Sequence, residues 1–262
     1  AAVVAMVLNI AAVWKQEVRR PAETIASRAR ATFRDSWREF TRGGAAPQLL
    51  MAVGLGTAAF SMQDILLEPY GGQILGLSVG ATTALTAILA FGSLVGFAWS
   101  ARELGRGKDP NLVAALGLVA GIPGFTAVIF ADPLGSVNLF RVGTLLIGFG
   151  GGLFGVGTLV SAMRLSSSGA SGLALGAWGA VQATAAGGSI LVAGFIRDAV
   201  TALAVAGRLG PGLAHESVGY SFVYHIEIAL LFLTLIVVGP LVRFQPVREE
   251  KTSSFGLAEL PS

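Results

Sequence analysis

Six stretches of this chain, 49–67, 74–100, 112–131, 142–163, 173–196 and 218–242, are long, apolar and nearly free of charge. A helix needs about 20 mostly apolar residues to cross the hydrocarbon of a bilayer. Runs of that length have no place on the surface of a water-soluble domain. The balance of 53% hydrophobic to 13% charged residues supports lipid as the solvent. The expected fold is an all-α membrane protein. The opening AAVVAMVLNIAAVW resembles the tail of a seventh span, so the chain reads as a piece of a longer one. The expected organisation is the end of a span at 1–13, a polar linker at 14–47, a six-helix bundle at 48–242 and a polar tail at 243–262.

Basic residues mark the cytoplasmic side of a membrane protein. Placing the linker inside puts 15 of the 18 Lys and Arg residues on the cytoplasmic side. Only Arg141, Arg197 and Arg208 fall outside. Both ends of the six-span block are therefore expected in the cytoplasm. The net charge of +3 follows from this asymmetry. It is not a nucleic-acid signal, because no basic face is interleaved with aromatics on a soluble domain. In the linker, Ile25, Ala29, Phe33, Trp37 and Phe40 recur at helical spacing, with Arg28, Arg30, Arg34 and Arg38 elsewhere. That pattern predicts a basic amphipathic helix on the membrane surface.

Span four contains GFGGGLFGVG. A G-x-G-x-x-G match at Gly150, Gly152 and Gly155 is not a nucleotide loop, since no strand precedes it and it lies inside an uncharged run. Gly148/Gly152 and Gly151/Gly155 are small-xxx-small pairs, which let helix backbones approach closely. Span five repeats the spacing with Gly172, Gly176 and Gly179. A glycine face of this kind either packs a helix or leaves room for a flat ligand.

Catalytic chemistry is hard to place. The chain has no Cys and two His. His215-Glu216 begins like H-E-x-x-H, but Gly219 stands at the second His position. His225 with Glu227 is too sparse for a metal cage. No enzyme and no protein-held metal are expected. The ionisable residues at membrane depth remain, and each is by default a functional hypothesis. Asp64 and Glu68 are four apart, so a continuous helix would put them on one face, beside Gln63. Arg141, at the start of span four on the same side, is the expected neutralising partner. Glu227 lies about 13 Å along span six at 1.5 Å per residue, with His225 just before it.

Three segments, FSMQDILLEPYGGQILGLSVGATT, GFGGGLFGVGTL and SGASGLALGAWGAVQATAAG, resemble the C-terminal half of the PucC/LhaA-type bacteriochlorophyll-delivery family, within the major facilitator superfamily. The tail FGLAELP resembles that family's ending. The resemblance implies a twelve-helix transporter fold, of which this chain holds the end of helix 6, the linker and helices 7–12. It implies a loop 8–9 motif, to which Gly96, Arg102, Gly105 and Arg106 correspond; the motif's Asp is absent, with Ser100 and Ala101 in that region. It also implies assembly of bacterial light-harvesting complexes in the photosynthetic intracytoplasmic (inner) membrane. The pigment would be bacteriochlorophyll, and the partners antenna polypeptides and the reaction centre. Gln63, Asp64, Glu68, Arg141, His225 and Glu227 are the pigment or substrate contacts to test. The competing reading is a proton-coupled secondary transporter, with Asp64 or Glu227 as the relay.

Overall fold

A computed structural model describes residues 33–42, 44–165 and 171–242. The expected end of a span at 1–13, the linker before Phe33 and the tail from Arg243 lie outside the described residues. The chain divides into two units, Ala1–Arg38 and Glu39–Ser262. Of the first, only residues 33–38 are described, at the start of helix α1 (Phe33–Arg42). Trp37 and Phe40 are half-buried on this helix, and Arg38 and Arg42 are exposed.

The second unit is built from helices: α2 (Ala45–Ser61), a 3-10 turn (Met62–Ile65), α3 (Leu67–Gln73), α4 (Val79–Gly105), α5 (Pro110–Ala131), α6 (Val137–Leu165), α7 (Ser171–Val205) and α8 (Ser217–Val238). Six segments are long and apolar enough to span a bilayer, with α2, the 3-10 turn and α3 forming the first. The protein is thus an all-α, multi-pass membrane protein. The spans outrun the apolar runs at most ends. The fifth continues to Val205, about two and a half turns beyond the apolar run that ends at 196.

The first span is not one helix. Pro69 has no N–H and its ring would clash with the carbonyl of Ile65, four residues back, in an unbroken helix. The chain meets this by tightening into the 3-10 turn and restarting as α3, with Pro69 in the first turn, where its N–H is not needed. Gly71 then passes so close to α4 and α6 that a Cβ would lie 3.0 Å from Leu85 and 3.4 Å from Phe140.

Glycines set the closest helix contacts. Gly92 and Gly96 of α4 face α6, and Gly148 and Gly152 of α6 face α4; a Cβ on any of them would strike the opposite backbone. Ser93 Oγ adds a hydrogen bond to the Gly148 carbonyl at 3.1 Å. Lipid offers no hydrophobic drive between helices, so backbone contact of this kind carries association. Gly96 is therefore a packing residue in mid-α4, which corrects its assignment to a loop motif. Of that motif, Arg102 lies in the last turn of α4, and Gly105 and Arg106 close the helix. Glu103, in the same last turn, is contacted by Arg106 at 3.0 Å and is also paired by Lys108.

At the same end, Asp109 caps α5 by accepting from the Asn111 N–H at 2.8 Å. Asn111 donates to the Leu241 carbonyl at 3.0 Å and accepts from Ser161 Oγ at 2.7 Å. One amide thus joins α5, α6 and the chain just after α8. The core runs through all these helices and is centred on aromatic rings, including Tyr70, Phe125, Phe140, Tyr220 and Tyr224.

Candidate functional site: a buried aromatic and acidic cluster

Along α8, Tyr220, Tyr224, Glu227 and Leu231 recur at i, i+4, i+7 and i+11, so one face carries all four inward. The Tyr70 ring on α3 meets Tyr220 edge-on at 5.3 Å and Tyr224 at 5.8 Å, and lies 5.3 Å from Phe140. Phe125 packs on Tyr224 at 6.2 Å and on Phe60 at 6.2 Å. Edge-on and offset rings place positive edges near negative faces, which favours such pairs beyond their buried area. The Tyr220 hydroxyl donates to Gln73 Oε1 at 2.6 Å, and the Tyr70 hydroxyl reaches the Val128 carbonyl at 3.4 Å.

Glu227 closes this aromatic wall. It is 0% exposed, and neither carboxylate oxygen has a hydrogen-bond donor among the described residues. Asp64 and the backbone N–H of Gln63 lie beside it. The Tyr224 hydroxyl and Gln63 Oε1 are buried and likewise unpaired. A polar group buried without a partner costs about 1–3 kcal/mol, and here several gather at one place. These atoms are enclosed, so a donor from outside reaches them only when the helices part.

The other expected residues fall elsewhere. Asp64 lies in the 3-10 turn and Glu68 in α3, so the two do not share one continuous helix. Both are exposed, and each has its own donor: Gln63 Nε2 to Asp64 at 2.6 Å, and Thr86 Oγ1 to Glu68 at 2.6 Å. Arg141 is exposed on α6 and forms no ion pair with either among the described residues. The pairing expected from their common depth is absent. An arginine that does reach the bundle is Arg197 of α7. Its guanidinium lies 5.0 Å from the Tyr220 ring centroid and 3.1 Å from Asp198. It was passed over because the apolar run stops one residue before it. His225 lies two residues from Glu227, which puts it on the opposite face of α8, exposed.

The glycine faces separate as well. Gly148 and Gly152 are covered by α4, and Gly151 lies under the Phe60 ring. Gly155 on α6 and Gly172 and Gly176 on α7 have open space where a side chain would stand. Of these six, only the latter three leave room for a flat ligand. Among the described residues, no cluster of His, Asp and Glu could cage a metal ion. The tyrosines were legible as Y-x-x-x-Y-x-x-E, a one-face helical pattern ending in an acid.

A sequence profile described as PUCC protein matches residues 1–245. An uncharacterised protein of the puhA-bchM intergenic region in Rhodobacter capsulatus is 52% identical over 98% of this chain and 55% of its own length. Protein PucC of Cereibacter sphaeroides is 48% identical over 92% of this chain and 52% of its own. The bacteriochlorophyll synthase 44.5 kDa chain of Rhodobacter capsulatus is 30% identical over 72% of this chain and 45% of its own. The chain spans about half the length of the curated relatives it matches. No solved structure matches.

Proposed function

We propose that this chain, which belongs to the PUCC protein family, is part of an assembly factor for bacterial light-harvesting complexes. It delivers bacteriochlorophyll, or chaperones its insertion, into antenna polypeptides, and binds rather than catalyses. The observation that carries this reading is the cluster around Glu227, where buried polar atoms without partners sit inside an aromatic wall. A macrocycle with carbonyl groups on its rim suits such a wall. Asp64 and Glu68, exposed on the broken first span, are the polar contacts within its reach, and the enclosed Gln63, Tyr224 and Glu227 join them when the helices part. The open glycines of α7 offer a flat surface. A relative named for bacteriochlorophyll synthase supports the pigment class. On this reading the protein lies in the photosynthetic inner membrane, with the linker and tail in the cytoplasm and antenna polypeptides as partners.

The full protein, purified in mild detergent, should carry a near-infrared pigment band and antenna polypeptides. Asp64→Asn and Glu68→Gln should lower pigment content or antenna yield while leaving the protein in the membrane. Normal antenna assembly in both variants would remove these residues from the site. Glu227 alone favours a second reading, proton-coupled transport, since an unpartnered buried carboxyl is suited to carry a proton. A proteoliposome response to a pH gradient, with no pigment, would favour it.

A further inference from the structure

The geometry points to His225 as the axial ligand of a magnesium tetrapyrrole held on the exposed face of α8, opposite the Glu227 cluster; this rests on the pigment-handling reading above. Phe222, His225, Ala229, Phe232 and Ile236 recur along that face, and all are exposed. His225 lies eight residues into α8, so about 12 Å along its axis at 1.5 Å per residue. That depth is inside a hydrocarbon layer about 30 Å thick. An imidazole exposed there has no water to bond and calls for a role.

Its tautomer follows from one contact. His225 Nδ1 lies 2.6 Å from the Ser221 carbonyl oxygen, which only accepts, so Nδ1 carries the hydrogen. Nε2 is left with its lone pair on an exposed side chain. Tethering one ring nitrogen to a carbonyl while the other meets a metal is how ligating histidines are held in orientation.

Magnesium in a tetrapyrrole has four in-plane nitrogens and takes a further ligand along the ring normal. His225 suits this better than Asp64 or Glu68. Its neutral nitrogen adds no charge to a neutral pigment in lipid, whereas a carboxylate would place a net negative charge there. Asp64 and Glu68 each already accept a short hydrogen bond. One turn from His225, Ala229 leaves room for the edge of a flat ring. Phe222 and Phe232 offer apolar surface on either side of that gap.

The full chain in mild detergent is titrated with bacteriochlorophyll a and with its metal-free counterpart, bacteriopheophytin a. Binding is read by fluorescence, and magnesium coordination by the absorption bands sensitive to a fifth ligand. The wild type should prefer the magnesium pigment at least about tenfold, a difference of 1.4 kcal/mol. His225→Leu should lose that preference and the five-coordinate band. His225→Gly should regain both when imidazole is added. Ala229→Trp should weaken both pigments alike. Unchanged magnesium preference and an unchanged band in His225→Leu would overturn the assignment. Should the wild type bind neither pigment, the pigment-handling reading falls, and the ligand with it.

Discussion

Gly117 of α5 and Gly150 of α6 face one another so closely that a Cβ on either would lie 2.5 Å from the other's carbonyl oxygen. The contact is reciprocal, backbone on backbone, and neither helix can yield without moving whole. Gly124 and Gly143 repeat it nearer the other end of the same pair. These contacts make α5 and α6 one rigid plate, against which the aromatic cluster is built.

Gly150→Ala should therefore lower stability by about 1–3 kcal/mol, the usual cost of forcing extra volume into a packed interface. Gly176→Ala on α7 meets open space and should be neutral or slightly stabilising through helix propensity. Thermal unfolding in detergent, followed by intrinsic fluorescence, compares the two. Equal midpoints would show that the glycine contacts do not hold the bundle.

Glu227→Gln keeps the shape of the side chain and removes its ability to carry charge. The amide keeps an oxygen toward the Gln63 backbone N–H and breaks no hydrogen bond formed among the described residues. Stability should stay within about 1 kcal/mol of wild type, since no hydrogen bond is broken. Pigment content or antenna yield should fall. A large loss of stability instead would mark Glu227 as a structural residue.

Tyr70 touches Phe140, Tyr220 and Tyr224 at once. Truncating a buried aromatic costs about 3–5 kcal/mol, so Tyr70→Ala should greatly reduce folded protein in the membrane. Tyr220→Phe removes only the hydroxyl bonded to Gln73 and should cost about 1 kcal/mol. A detergent unfolding series on the two variants checks the ratio.

Glu103 is contacted by Arg106 and Lys108 across the turn between α4 and α5. Glu103→Gln should loosen that turn and speed amide exchange around residues 105–109. High salt should narrow the difference from wild type, because exposed partners are screened. Identical exchange at low salt would show that the pairs are incidental.

The count of spans and the all-helical class were legible in the sequence, since twenty uncharged apolar residues have one stable solvent and, there, a helix satisfies its own backbone. Gly148 and Gly152 were legible as a small-xxx-small pair, but spacing alone did not separate them from Gly155 and Gly176, which meet open space. The partner of each polar group was not legible. Arg141 and Asp64 were expected at one depth along the membrane normal, but depth does not set the angle around a helix or which helices touch. Pro69 broke the first span, so Asp64 and Glu68 found separate donors; the separation of His225 from Glu227 was legible, because two residues on a helix lie on opposite sides. Hydropathy is a one-dimensional signal that assigns residues to lipid or water. The choice between facing a neighbour, a ligand or the hydrocarbon arises only when six helices pack, and the close glycine contacts decide which of them meet.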